Sequence, residues 1–191
     1  MTTVPRGLFH VSHDPIPPDA PINPYSLDAT ASNLYNLLRW TLTSDPASLR
    51  PLLLMDRYVS IRFENVKPAL PSLAIEAVFE HVREEHLPSR PSRFGPVFCW
   101  ETLDLAQRFR SYEKYQTGAT IYECRVLEGT TFRADMALIN TGFDLLAPPD
   151  DELRRMKQRA EHYWSTTAQM ELPEIMIRGR VVATTQVDPA P

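Results

Sequence analysis

The sequence is poor in the residues that define several common protein classes. It holds only two cysteines, Cys99 and Cys124, in 191 residues. No CxxC pair and no Cys/His series with zinc spacing occurs, so we expect neither a disulfide scaffold nor a zinc module. No run of about 18 apolar residues occurs either, which predicts no membrane-spanning helix.

The first ten residues, "MTTVPRGLFH", lack the long apolar core of a signal peptide. We therefore expect a cytoplasmic protein, with export as an effector without a cleavable signal as the alternative. The formal net charge of −4 predicts no general attraction to nucleic acid or to an anionic membrane. A local basic groove remains compatible with that balance.

The common nucleotide-binding and hydrolase motifs are missing. No GxGxxG, GxxxxGK[ST] or GxSxG occurs, which argues against the dinucleotide, P-loop and α/β-hydrolase folds. His10 and His13 form an HxxH pair, and His81 and His86 lie on a predicted helix. Neither pair has a clear third ligand, so we expect no metal site.

The remaining composition is that of a soluble globular protein, with 43% hydrophobic and 23% charged residues. We expect a single domain over residues 1–191. The 18 prolines punctuate the chain, and residues 13–25 form a proline-rich loop that is neither helix nor central strand. The tail 188–191 is expected to fray.

Hydrophobic periodicity predicts the elements of secondary structure. Apolar alternation predicts strands at 8–12, 57–64 and 119–127, a short strand at the end of 89–100, and a β-rich segment at 173–187 that is broken at Arg178-Gly179. Helical spacing predicts helices at 26–42, 71–87, 102–112 and 150–164. Because no regular βαβ rhythm occurs, the fold class is expected to be α+β.

Two helices show which side chains should be buried. On helix 71–87 the apolar residues at i, i+3, i+4 and i+7 are Ile75, Val78, Phe79 and Val82. Ser72 is the expected N-cap of this helix. On helix 26–42 the apolar stripe comprises Ala31, Leu34, Leu37, Leu38 and Leu42.

Three segments occur along the sequence in an order that resembles the motif order of a known superfamily. They are "LFHVS" near the N-terminus, "RPSRFGPVFCWETLDLAQRF" in the middle, and "PEIMIRG" near the C-terminus. The order of a His strand, an aromatic strand followed by a helix, and a Glu before a late strand resembles the ADP-ribosyltransferase superfamily. It is most similar to the His-containing branch, with the poly(ADP-ribose) polymerases and bacterial toxins such as DarT. The chain beyond residue 70 also resembles an uncharacterised bacterial domain family near that fold.

The resemblance implies two split antiparallel β-sheets with flanking helices and a cleft that binds NAD. In the first motif of the superfamily, a His-Gly-Thr lines the nicotinamide-ribose pocket. His10 matches the His and would bind a ribose hydroxyl, Ser12 matches the Thr, and Val11 replaces the Gly. His10 as an ordinary core histidine is the alternative.

The second motif supplies an aromatic ring that stacks on nicotinamide. Phe98 or Trp100 would serve, and alternation puts both on one face of the strand with Cys99 on the other. Arg93, or less favourably Arg90, would grip the pyrophosphate, because guanidinium groups match phosphate oxygens. The alternatives are core aromatics and surface arginines.

The third motif is a glutamate at the start of a late strand. Glu174 matches it, and Glu171 is the second choice. A carboxylate here would stabilise the oxocarbenium charge that develops when the nicotinamide–ribose bond breaks. Tyr163 and Trp164 precede this segment and would either close over substrate or cap the core.

The resemblance implies a mono-ADP-ribosyltransferase that uses NAD as substrate, without a metal, as a toxin or effector. The acceptor is not identified by the sequence, and protein, DNA, RNA and small molecules remain open. A catalytically silent nucleotide- or protein-binding module on the same fold is the alternative, since Val11 and Phe98 depart from the motifs. An NAD glycohydrolase is a third option.

Overall fold

The computed structural model of the chain describes residues 7–24, 29–44, 70–112, 118–140, 148–165 and 169–188. In chain order, these ranges contain β1 (Leu8–Ser12), α1 (Ala29–Ser44), α2 (Leu70–His86), β2 (Val97–Cys99), α3 (Leu103–Tyr112), β3 (Thr120–Asp135), α4 (Ala137–Asn140), α5 (Pro149–Ser165) and β4 (Pro173–Asp188). Helices combined with one antiparallel sheet confirm the α+β class, but the strands of the described residues form a single sheet and not the two split sheets that the resemblance implies. The predicted strand 57–64 and tail residues 189–191 lie outside the described residues, and Asp188 belongs to β4.

The chain divides into two compact units. The first contains the described residues of 7–24, 91–140 and 169–188, and therefore the whole sheet. The second contains 29–44, 70–90 and 148–165. Within the described ranges, no helix has the length and hydropathy needed to cross a membrane.

The four strands of the first unit pair antiparallel in the order β1-β3-β4-β2. The long strands β3 and β4 pair along their whole length, while β1 and β2 cover their outer edges. β1 and β2 also meet at one point, where Phe9 and Trp100 exchange two backbone hydrogen bonds of 2.8 Å. The sheet is therefore curled until its two outer strands touch.

Three register irregularities in the pairing of β3 with β4 accompany this curvature. They lie between Ile121 and Tyr122, between Glu123 and Cys124, and between Val126 and Glu128. Bulges bend a strand and increase its twist. Long strands with several bulges can curl in a way that flat strands cannot.

Alternation along the four strands places one set of side chains inside the curl. This inner cluster comprises Leu8, Ile22, Val97, Cys99, Tyr122, Cys124, Ile175, Ile177, Val181 and Ala183. On the other face, α3 packs against β1, and its Ala106 and Phe109 are buried.

The proline-rich loop runs along the edge of β4 beyond the end of β2. Asp19 and Ile22 donate backbone hydrogen bonds to the carbonyls of Ala183 and Val181, at 2.7 and 2.9 Å. Pro21 lies between these donors and pairs with Val182 as an isolated bridge. An edge position suits proline, because proline has no amide hydrogen to donate to a ladder.

The second unit consists of three helices. α2 packs against both α1 and α5, and every residue from Leu73 to Glu80 is buried. The predicted core residues of α2 are all buried: Ile75, Val78, Phe79 and Val82. Two details of the sequence prediction are wrong, because α2 begins at Leu70 and so includes Ser72, and because Leu37 is 43% exposed.

Candidate functional site

A hydrogen bond from a histidine side chain links β1 to β2. Past the Phe9–Trp100 backbone pair, His10 Nδ1 lies 2.8 Å from the carbonyl oxygen of Phe98. A carbonyl only accepts hydrogen bonds, so Nδ1 carries the proton and donates it. The other ring nitrogen, Nε2, is therefore the acceptor in the neutral ring.

Burial reinforces this protonation state. Burial of the ring lowers the pKa of His10 below its usual value, and the hydrogen bond to Phe98 opposes that shift only in part. The ring therefore stays neutral near pH 7, with Nε2 as an acceptor. Such a nitrogen is suited to a hydroxyl donor.

A buried ion pair lies at the start of β4. Arg93 Nη1 is 2.7 Å from Glu174 Oε1, and the two side chains are 4% and 1% exposed. The guanidinium also lies 4.8 Å from the centre of the Phe98 ring and 4.0 Å, through Nη2, from the sulfur of Met136. One arginine thus contacts a carboxylate, an aromatic face and a thioether.

Asp135 holds the backbone that carries Glu174. Its carboxylate accepts hydrogen bonds from the amides of Ala137, Glu171 and Leu172, at 3.1, 3.0 and 2.9 Å. These bonds tie the end of β3 to the residues that immediately precede β4. Sequence reasoning missed Asp135, although an aspartate two residues before a helix start is a capping signal.

The structure brings Arg93, Phe98 and Glu174 into contact, and it connects His10 to them through the Phe98 carbonyl. His10 and Glu174, the first and last residues in this series of contacts, lie on different sides of the sheet. His10 pairs with Tyr122 of the inner cluster, whereas Glu174 alternates with Ile175 of that cluster and points away from it.

The other predicted site residues have different surroundings. Trp100 is buried and stacks on Phe109 with ring centres 4.2 Å apart. Ser12 Oγ bonds the backbone of Asp14 at the end of β1. Val11 is buried.

The two candidate carboxylates differ sharply in exposure. Glu171 is exposed, whereas Glu174 is almost completely buried. Arg90 belongs to the helical unit, where its carbonyl accepts a hydrogen bond from Arg83, so Arg93 is the arginine that accompanies the strands. Trp100 Nε1 is buried with no hydrogen-bond partner among the residues that the structure describes.

No three His, Cys, Asp or Glu side chains within the described ranges are grouped closely enough to hold a metal ion. On the side of the sheet away from the inner cluster, the groups able to bind a ligand are the Phe98 ring, the Arg93 guanidinium and the Glu174 carboxylate, whereas the His10 acceptor lies on the inner side. The three groups on one side suit a ligand with hydroxyl groups, a planar ring and an anionic group.

Comparison with known proteins assigns the chain to a family. No curated protein matches it significantly. A family model described as "protein of unknown function (DUF2441)" matches residues 53–189. That range includes Arg93, Phe98 and Glu174 and leaves out β1 with His10. Because the match covers most of the chain, the protein belongs to the DUF2441 family.

Proposed function

We propose that the protein is an ADP-ribosyltransferase that takes NAD as substrate and transfers its ADP-ribose to an acceptor. The observation that supports this is the series of contacts from His10 to Phe98, Arg93 and Glu174. His10, Phe98 and Glu174 stand on the strands that resemble the three motifs of the ADP-ribosyltransferase superfamily, and Arg93 precedes β2. Phe98 and Glu174 offer an aromatic face and a carboxylate to the nicotinamide riboside half of NAD.

The reaction breaks the bond between C1′ of the ribose and the ring nitrogen of nicotinamide. The bonding electrons leave with neutral nicotinamide, and the ribose acquires oxocarbenium character. An acceptor nucleophile then bonds to C1′ and loses a proton. The Glu174 carboxylate accepts a hydrogen bond from a ribose hydroxyl and stabilises the positive charge on the sugar.

Phe98 orients the substrate in this proposal. His10 lies on the opposite side of the sheet from Glu174, so its role is to hold the strand that carries Phe98, through the hydrogen bond from Nδ1 to the Phe98 carbonyl. The half-buried Phe98 ring stacks on nicotinamide. Phe98 stands where the superfamily more often has tyrosine, and it keeps the aromatic face without the hydroxyl.

The test is release of nicotinamide from NAD by the purified protein, with and without cell lysate as a source of acceptor. We expect release by the wild type and a loss of about 100-fold or more in Glu174→Gln, because a charge-stabilising group is removed. Glu171→Gln tests the second candidate carboxylate, and we expect it to keep the wild-type rate.

The controls separate catalysis from folding. Glu174→Gln breaks a buried ion pair, and such a change costs about 3–5 kcal/mol, so thermal unfolding is measured alongside. Glu101→Gln breaks the exposed ion pair with Arg133 and is expected to change neither property. His10→Gln leaves the buried pair intact and is expected to lower release less than Glu174→Gln does, because it alters only the hydrogen bond that supports the Phe98 strand.

Two outcomes would contradict the proposal. Full release by a folded Glu174→Gln variant would exclude Glu174 as the catalytic carboxylate. No release by the wild type, even with lysate, would exclude the transferase and the glycohydrolase. NAD binding without release would instead indicate the binding module.

A further inference from the structure

One side of α1 carries an exposed tryptophan and no charged group. Four residues, Asn33, Leu37, Trp40 and Ser44, are spaced i, i+4, i+7 and i+11 and therefore lie in one row along the helix. All four are exposed, Trp40 by 60% and Leu37 by 43%. We call this row the neutral stripe. Because tryptophan is highly buried on average, an indole this open to water next to an exposed leucine indicates an interaction surface.

The polar groups of α1 near the neutral stripe already have partners within the chain. Arg39, the one charged residue in the sequence of α1, pairs with Glu84 of α2, and its guanidinium lies 5.8 Å from the centre of the Tyr35 ring. Thr43 Oγ1 points back at the carbonyl oxygens of Arg39 and Trp40, at 3.1 and 3.0 Å. The stripe can therefore lose its water without leaving a charge or this hydroxyl unsatisfied.

The other long helices have a different kind of surface. The exposed residues of α2, α3 and α5 include charged side chains, among them Glu84, Arg108 and Arg154. Charged residues are depleted at the centres of protein interfaces, and tryptophan is enriched there. The neutral stripe offers a charged partner nothing to complement, so the face that fits it is neutral with an apolar centre. A second copy of this chain presents such a face.

The order of residues in the neutral stripe suits pairing with its own copy. The intervals of four, three and four residues read the same in both directions, with polar residues at the ends and apolar residues at the centre. In an antiparallel pair of α1 helices, Leu37 therefore faces Trp40 of the second copy, and Asn33 faces Ser44. A two-fold axis generates both contacts twice. The antiparallel arrangement also opposes the two helix dipoles favourably.

We propose that the neutral stripe is the contact face of a homodimer, in which α1 pairs antiparallel with α1 of a second copy. The dimer goes beyond the proposed reaction and does not depend on it. Stable complexes bury about 1,200–2,000 Å² in total, and one helix face supplies less, so we expect a dissociation constant on the order of 100 µM. At low micromolar concentrations the chain is then monomeric.

Sedimentation equilibrium tests the dimer, over protein concentrations from about 10 µM to about 1 mM. The average mass of the wild type is expected to rise from that of the monomer towards that of the dimer. Leu37→Asn is expected to raise the dissociation constant at least about tenfold, because it removes an apolar contact at the centre of the interface. Leu127→Asn is the matched control, since Leu127 lies on β3 and is also 43% exposed, and we expect it to change nothing.

A pair of charges tests the antiparallel geometry. Asn33→Glu and Ser44→Lys together place opposite charges where the two copies meet at each end of the stripe. Within one chain these positions are 11 residues apart, about 16 Å along the helix, and do not touch. The double variant is expected to dimerise about threefold or more tightly than either single variant, and the gain should disappear at high salt. A parallel pair would instead bring like charges together and weaken the dimer.

Trp40→Ala completes the set and is expected to remain monomeric over the whole concentration range. Circular dichroism at low micromolar concentration checks the fold of each variant, and the Leu37 and charge variants carry the test should Trp40→Ala not fold. A wild type that stays monomeric at about 1 mM would overturn the proposal, as expected if the stripe receives another protein. A dimer that Leu37→Asn leaves intact, or that Leu127→Asn weakens equally, would overturn it too.

Discussion

At the scale of a single residue, His10 shows how its surroundings set its chemistry. The sequence placed a histidine in an apolar strand and left open whether the ring binds substrate or fills the core. In the structure, one ring nitrogen donates to the Phe98 carbonyl, and burial lowers the pKa of the imidazole. The two interpretations are compatible, because a partly buried neutral ring keeps its second nitrogen as an acceptor.

The protonation of His10 should couple to stability. In the unfolded chain the imidazole binds a proton below about pH 6.5, whereas in the folded protein burial holds its pKa lower. Between the two values the unfolded state binds more protons, so the free energy of unfolding falls as the pH falls through this window. Above about pH 6.5, this loss is absent.

Urea unfolding at a series of pH values measures the effect. His10→Gln is expected to show a shallower decline in the free energy of unfolding below about pH 6.5. The difference in slope from the wild type should correspond to the uptake of up to about one proton per chain on unfolding. His13→Gln removes an exposed histidine three residues away and serves as the control, with the wild-type slope expected. Identical slopes for wild type and His10→Gln would refute the coupling.

At the scale of secondary structure, the packing of α5 decides between two roles for the aromatic residues at its C-terminal end. Tyr163 and Trp164 were candidates either to close over substrate or to cap the core. Both are buried, Trp164 Nε1 donates to the Phe79 carbonyl at 3.0 Å, and Tyr163 meets the Phe79 ring edge-on. This packing against α2 favours the core role.

Two tryptophans of the helical unit offer a matched comparison. Trp164→Ala removes a fully buried indole and is expected to lower the free energy of unfolding by about 3–5 kcal/mol. Trp40→Ala removes an indole that is 60% exposed on α1 and is expected to change it by about 0.5 kcal/mol or less. Chemical denaturation measures both, and equal losses would contradict the packing of α5.

The observed extent of strand β4 differs from the sequence prediction. Arg178-Gly179 was expected to break the strand, yet β4 runs unbroken from Pro173 to Asp188. Gly179 pairs directly with Gly129 of β3, and a Cβ on either residue would overlap the backbone of the other strand. Glycine here permits a close backbone approach instead of ending the strand.

At the scale of the whole molecule, the curl of the sheet hides both thiols. Cys99 and Cys124 are free, buried and members of the inner cluster, although they come from β2 and β3. A hydrogen bond with the Cys124 thiol and burial raise the pKa of Cys99 well above its usual value. The protonated thiol is the unreactive form, so Cys99 is protected from reaction both by its burial and by its raised pKa.

Reaction with a thiol reagent such as Ellman's reagent should therefore report global unfolding. In the native protein we expect both thiols to react about a thousandfold or more slowly than an exposed cysteine. In denaturant, two thiols per chain should react at once. Ser111→Cys adds one exposed thiol as a positive control, and rapid reaction of the native wild type would contradict the closed inner cluster.

The sequence by itself determined the local structure of the described residues. Alternation located β1, the first half of β3 and nearly all of β4, and helical spacing located α2 and α5 with their buried faces, because these patterns depend only on the geometry of a short segment. Arg93 and Glu174 were also singled out individually, since guanidinium and carboxylate groups next to strands have recognisable chemistry.

Only the tertiary structure decided how these residues combine. Arg93 and Glu174 are 81 residues apart, and their contact depends on β2 pairing with β4, which no local pattern specifies. The meeting of β1 with β2, the triple hydrogen bonding of Asp135 and the opposite faces of His10 and Glu174 depend on the same register. Periodicity records which face of a strand is buried, and long-range pairing decides which distant groups that face will meet.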